Sequence, residues 1–225
     1  MTKEIYKRLE DYMLKEMDDS AHDAEHIYRV LYTVLDIAQT EPGADLDVLI
    51  AACLLHDIGR AEQLRDPSLC HAQVGGEKAY RFLCRNGFDE SFAGHVRACI
   101  RTHRFRSDAP PQSLEAKILF DADKLDAAGA CGIARTLLYQ GEVSAPLYTR
   151  MADGTVSDGA EDGAESFFHE YRHKLEKIYD GFYTARGAAL AGKRRSTAES
   201  FYKALLAEVQ EPERAGRDIL RNTLR

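Results

Sequence analysis

Residues 45–57, DLDVLIAACLLHD, carry apolar side chains on nearly every side of a helical projection. A helix that is apolar all round has no face to give to water, so the rest of the chain must fold around it. This central helix ends in His56-Asp57. An ionised carboxylate at the end of a buried helix is costly unless a cation or hydrogen bonds meet it. Neighbouring helical side chains diverge by about 100°. One ion can still touch both His56 and Asp57 if it sits at the helix end, between their directions.

The remaining pattern is helical. Ile5, Leu9, Tyr12 and Met13 recur at helical spacing over residues 2–17, and Ile27, Val30, Leu31, Val34 and Ile37 do so after a cap at Asp19 or Ser20. Further helices are expected over 71–86, 89–104, 113–126, 130–140, 164–180 and 184–209, with Asn86-Gly87 and Pro110-Pro111 as stops. A connection containing Asp66-Pro67 follows the central helix. The segment 141–164 is rich in Gly, Ala, Ser and Asp and has no period, which predicts a long loop or mobile lid. The reading is an all-α protein: one domain over 1–210, with 141–164 as an insertion and a charged tail over 211–225.

Composition narrows the class. The 225 residues are 44% hydrophobic, enough for a sizeable core, and the net charge of -7 disfavours a nucleic-acid binder, which needs a basic face. No apolar run is long enough to span a bilayer, so no membrane association is expected. The charged N-terminus does not resemble a secretory signal, and the five cysteines include no CxxC pair. A cytoplasmic location with reduced thiols is the expectation.

Two more groups complete the pattern: His26 in AHDAEHIYRV and Asp123 in FDADKLDAAG, each on its own helix. Singly, each is more readily a core or surface residue than a ligand. Together, two imidazoles and two carboxylates from three helices fit the ligand set of one divalent cation. Their surroundings, SAHDAEHIYRV (20–30), LLHDIGR (54–60), THRF (102–105), DADKLDAAGACGIAR (121–135), HEYRHKL (169–175) and TARGAALA (184–191), are similar to the HD-domain phosphohydrolase superfamily and to its small stand-alone bacterial branch. The resemblance runs over roughly residues 18–210, and DADKLDAAGACGIAR is its most specific part. It implies a helical bundle with the metal held between helices. It also implies ligand roles for His26, His56, Asp57 and Asp123.

Mixed imidazole–carboxylate ligation suits Mn, Fe, Co or Ni better than Mg. The resemblance implies Mn2+ or Mg2+, and Mn2+ is preferred here. Asp57 is also expected to orient a metal-activated water. His71 and His103 are candidate phosphate contacts or acid–base groups; in two-metal relatives, histidines at comparable places hold a second ion. A helix-terminal, solvent-facing His71 is about equally expected. Lys124 is a candidate phosphate or carboxylate partner, and Asp126 a candidate base or support for a ligand histidine. Arg60, Arg104 and Lys174 are candidate substrate contacts, while Arg29 is a structural ion-pair candidate. His22-Asp23 is read as a cap or supporting pair. Asp153, Asp158 and Asp162 imitate a calcium loop, but Ala164 stands where that loop needs Glu.

The expected function is hydrolysis of a phosphate ester or anhydride in a small nucleotide. Two alternatives are a di-iron oxygenase on the same scaffold and a non-catalytic nucleotide-binding module. Against the alarmone hydrolases, Ile58-Gly59-Arg60 follows the HD pair where acidic residues are expected; against the cyclic-di-nucleotide phosphodiesterases, FRSDAPP replaces their GYP element.

Overall fold

The computed structural model describes residues 1–17, 24–104, 110–161 and 163–224. The expected features at Asp19, Ser20, His22, Asp23, Phe105 and Asp162 lie outside them. Among the described residues, ten α-helices run in the order α1 (Lys3–Met17), α2 (Ala24–Ala38), α3 (Leu46–Leu55), α4 (Arg60–Arg65), α5 (His71–Arg85), α6 (Glu90–Arg101), α7 (Leu114–Asp126), α8 (Gly129–Glu142), α9 (Phe167–His173) and α10 (Ala185–Thr223). Among the described residues the extended pairing is a lone antiparallel bridge between Arg150 and Val156. The protein is all-α.

Two compact units divide the chain: Met1–Asp126 with Phe182–Gly187, and Ala127–Gly181 with Ala188–Arg225. In the first, α3 is the central element, packed by α1, α2, α5, α6 and α7. Val48, Leu49 and every residue from Ala51 to Leu55 are buried, as an all-round apolar helix requires. Asp45 caps its start, accepting from the Asp47 and Val48 amides at 2.9 and 3.2 Å. The Asp45 amide donates to buried Glu115 of α7 at 2.9 Å, which locks the start of α3 to that helix.

The helix ends at Leu55, so His56 and Asp57 occupy the turn that follows it rather than its last positions. The short helix α4 lies where sequence predicts only a connection. RAEQLR buries no residue and offers no periodic apolar face, which is why pattern alone misses it. Lys78 of α5 holds α4 in place: its ammonium bonds the Ile58 carbonyl at 2.8 Å and Glu62 at 2.7 Å, and also pairs with Glu16 of α1.

In the second unit, Tyr171 of α9 stacks on Tyr202 of α10 with ring centroids 4.1 Å apart, and Phe167 and Phe168 pack on the same helix through Phe201 and Tyr202. The expected lid has anchors that a free loop lacks. Arg150 pairs with Glu213, Arg217 donates to the Gly154 carbonyl, and Tyr202 donates to the Asp158 carbonyl at 2.5 Å. Asp153 and Asp158 cap local turns, accepting from the Thr155 and Ala160 amides at 2.9 Å each. Helix α10 continues well past the expected end near 209, to Thr223. Pro212 lies within it and forgoes one backbone donor.

Candidate metal centre

Every segment of the first unit that carries a candidate ligand delivers its side chain to one place. His26 comes from the first turn of α2, His56 and Asp57 from the turn after α3, His71 from the start of α5, His103 from just beyond α6, and Asp123 from the last turn of α7. All four histidines and Asp57 are at most 3% exposed, and Asp123 is partly open. His71, for which a solvent-facing position was an equal expectation, is fully buried.

The histidine tautomers follow from their outer contacts. The Nδ1 of His56 lies 2.7 Å from the Cys53 carbonyl, and that of His103 lies 2.6 Å from the Ile100 carbonyl. A carbonyl only accepts, so both nitrogens carry the proton. The Nδ1 of His26 lies 2.8 Å from Asp126 Oδ2, and that of His71 lies 2.6 Å from Gln63 Oε1. Each ring is thus held by its Nδ1, and each Nε2 faces inward.

Inside, the Nε2 atoms meet each other and the carboxylates. His26 Nε2 is 3.4 Å from His56 Nε2 and 3.3 Å from Asp123 Oδ1. His71 Nε2 is 3.3 Å from His103 Nε2 and 3.3 Å from Asp57 Oδ1. Asp57 divides its oxygens: Oδ2 lies 3.7 and 3.8 Å from His26 and His56, while Oδ1 lies 3.6 Å from His103. The result is two triads able to hold a metal, His26-His56-Asp123 and Asp57-His71-His103.

This arrangement fits a divalent cation. Six electron-pair donors converge in a buried space, and the Oδ2 of Asp57 has no hydrogen-bond partner. A buried carboxylate oxygen without a partner is costly, and a cation removes that cost. Protonation states point the same way. Burial drives His56 down to about 4 and His71 down to about 2, so both stay neutral and ligand-competent. Burial also works against the charged form of His26, but Asp123 and Asp126 outweigh it and raise His26 to about 9. Without a cation, a proton takes that place between His26 and Asp123. Burial pushes the Asp57 carboxyl up, yet His56, His103 and Arg60 together hold it well below the usual range.

A surrounding layer completes the site. Asp126 accepts from Arg29 Nε at 2.8 Å as well as from His26, so the Asp126–Arg29 pair fixes the His26 ring. Arg60 donates to Asp57 Oδ1 at 3.1 Å. Arg104 has a buried Nη1 with no hydrogen-bond partner. The Lys124 ammonium lies 4.7 Å from the Phe182 ring and 5.6 Å from the Phe120 ring. Lys174 belongs to the second unit, where it pairs with Glu170 at 2.6 Å. Gln63 carries no sequence signal: it sits eight residues before His71 in a helix that pattern does not reveal.

All-helical architecture and a buried His, His-Asp, Asp cluster together define the class, and the chain belongs to the HD-domain superfamily. The HD domain family profile matches residues 23–128. The uncharacterised protein YpgQ of Bacillus subtilis (strain 168) is 30% identical over 196 residues, covering 85% of this chain and 86% of its own. A crystal structure of YpgQ in complex with ADP superposes with a TM-score of 0.70 at 27% identity, covering 91% of this chain and 97% of that one. A predicted HD superfamily hydrolase from an uncultured Thermotogales bacterium is 32% identical, with 92% of each chain covered and a TM-score of 0.59.

Proposed function

We propose that this protein is a metal-dependent phosphohydrolase acting on a phosphate ester or anhydride of a small nucleotide. The observation that carries this reading is the unpartnered Oδ2 of buried Asp57 at the centre of six inward-facing donors. His26, His56, Asp57 and Asp123 would hold the cation, with Mn2+ favoured by the mixed nitrogen and oxygen set. These residues would hold a divalent ion that, when bound, would lower the pKa of a water and offset charge on a phosphoryl oxygen.

The chain's own groups supply the rest. Asp57, as one of those ligands, would also accept a hydrogen bond from the attacking water and so orient its lone pair toward phosphorus. Arg60 and Arg104 lie close enough to His71 to oppose its protonation, which puts two guanidinium charges beside the second triad. They suit phosphate oxygens, and the vacant donor of Arg104 is the natural contact. Lys124 adds a further positive charge for phosphate. Asp126 has its oxygens engaged by His26 and Arg29, which favours holding His26 over moving a proton. YpgQ crystallises with ADP, which supports a nucleotide as the class of substrate.

A second reading concerns stoichiometry. The split of Asp57 between two triads favours two cations, with His71 and His103 as ligands of the second. The same six-donor order suits a di-iron oxygenase.

The test is a screen of nucleoside mono-, di- and triphosphates with each divalent metal, following phosphate and pyrophosphate release alongside metal content. Hydrolysis with bound Mn2+ is expected, and Asp57→Ala should abolish it while leaving the helical circular dichroism unchanged. Two irons per chain with oxygen consumption and no phosphate release would replace this reading by the oxygenase. Full turnover by Asp57→Ala would remove that residue from the chemistry.

A further inference from the structure

The segment Phe182–Gly187 belongs to the first unit although its flanking residues belong to the second. Its seat is the carboxylate of Asp121, which is fully buried in α7 two residues before Asp123. Asp121 accepts from the Tyr183 amide at 3.0 Å, from the Thr184 amide at 2.7 Å and from the Thr184 hydroxyl at 2.7 Å. The Thr184 hydroxyl in turn accepts from the Gly187 amide at 3.0 Å. Gly187 has to be glycine here: a Cβ would stand 2.7 Å from Asp121 Oδ2. Arg186 adds a forked pair with Asp36 of α2, at 2.9 to 3.1 Å. A buried carboxylate satisfied by three donors is a rigid anchor.

That anchor fixes what precedes it. Phe182 presents its ring to the Lys124 ammonium at 4.7 Å, and Phe120, one turn earlier on α7, presents a second at 5.6 Å. Both distances are within the range of a cation–π contact. An isolated lysine side chain samples many rotamers, and holding it costs entropy at the moment of binding. Two rings against the ammonium reduce that cost beforehand.

We infer that Phe182 is a positioning residue, seated by Asp121 and Thr184, that holds the Lys124 ammonium ready for substrate phosphate. The use made of Lys124 rests on the phosphohydrolase reading; the seat itself does not. The experiment compares Phe182→Leu, which keeps apolar bulk without a ring, with Phe182→Tyr, which keeps the ring. Lys124 labelling by an amine-reactive reagent is followed by mass spectrometry, and KM and kcat are measured on the Mn2+-loaded protein with the nucleotide found active. Leu at this position should raise the labelling rate and KM by about three- to tenfold, in keeping with the loss of one ring contact, with kcat within about twofold. Phe182→Tyr should restore both, and Thr184→Val should resemble the Leu variant more weakly. Equal labelling in the wild type and Phe182→Leu overturns the seat. Raised labelling with unchanged KM in an active enzyme overturns the substrate role. A wild-type protein that hydrolyses no nucleotide defeats the proposed function, and the labelling arm still decides the seat.

Discussion

His26 has a carboxylate at each ring nitrogen, Asp126 at Nδ1 and Asp123 at Nε2. Its pKa of about 9 means that the metal-free ring is charged at neutral pH. A cation must therefore displace the Nε2 proton. About one proton should be released per Mn2+ bound at pH 7.5, and affinity should climb with pH until about 9. Calorimetry in two buffers of different ionisation enthalpy measures this; a buffer-independent heat would contradict it. The sign in the metal-free protein is the reverse. Its pKa is raised above the ordinary 6.5, so the pairing stabilises the fold fully below 6.5 and fades as pH rises through about 9. His26, His56, Asp57 and Asp123 were legible in the sequence as residue types at suggestive places. Arg29 was legible as an ion-pair candidate but not its partner, and Gln63 as a support was not legible at all, because a partner fixed through space leaves no mark on spacing.

At the scale of elements, the turn after α3 works only because two backbones come close. A Cβ on Gly59 would lie 2.3 Å from the His71 carbonyl and 2.6 Å from the Gly75 amide. The approach is reciprocal: a Cβ on Gly75 would lie 3.3 Å from the Gly59 amide and 3.3 Å from the His56 carbonyl. This contact sets the start of α5, and with it His71, against His56 and Asp57. Gly59→Ala should cost about 1–3 kcal/mol through overpacking. For a chain of this size that is a fall in Tm of roughly 3–10 °C. A thermal melt reads it, and a shift under about one degree would deny the close approach its importance. The glycine stands in LLHDIGR, yet its necessity belongs to α5, whose His71 and Gly75 lie twelve and sixteen residues downstream, and periodicity carries no such information.

For the whole molecule, a metal held by the buried donors would link occupancy to stability. A cation that binds only the folded chain, at a free concentration of 100 times its Kd, adds about 2.7 kcal/mol. Adding Mn2+ to protein stripped with EDTA should raise Tm by roughly 5–10 °C. The rise should be absent when Asp57 is replaced by Ala. An unchanged melt for the wild type would argue that the donors meet without holding metal. No described helix is long and apolar enough to cross a membrane. The segment 141–161 illustrates the limits of composition. Its Gly, Ser and Asp content predicts freedom, but Arg150, Gly154, Val156 and Asp158 find partners on α10 that lie far along the chain.

Apolar periodicity determined most of the helices, because a 3.6-residue repeat is a local property that the order of residues records directly. The all-round apolar run placed α3 at the centre and put His56-Asp57 at the end of a buried element. Tertiary structure alone decided that His71 and His103 turn inward, that Asp57 divides its oxygens between two triads, and that Asp121 reaches across 62 residues to seat Phe182 beside Lys124. Those choices depend on which side chains meet when helices pack, and packing joins residues whose separation along the chain says nothing of their distance in space.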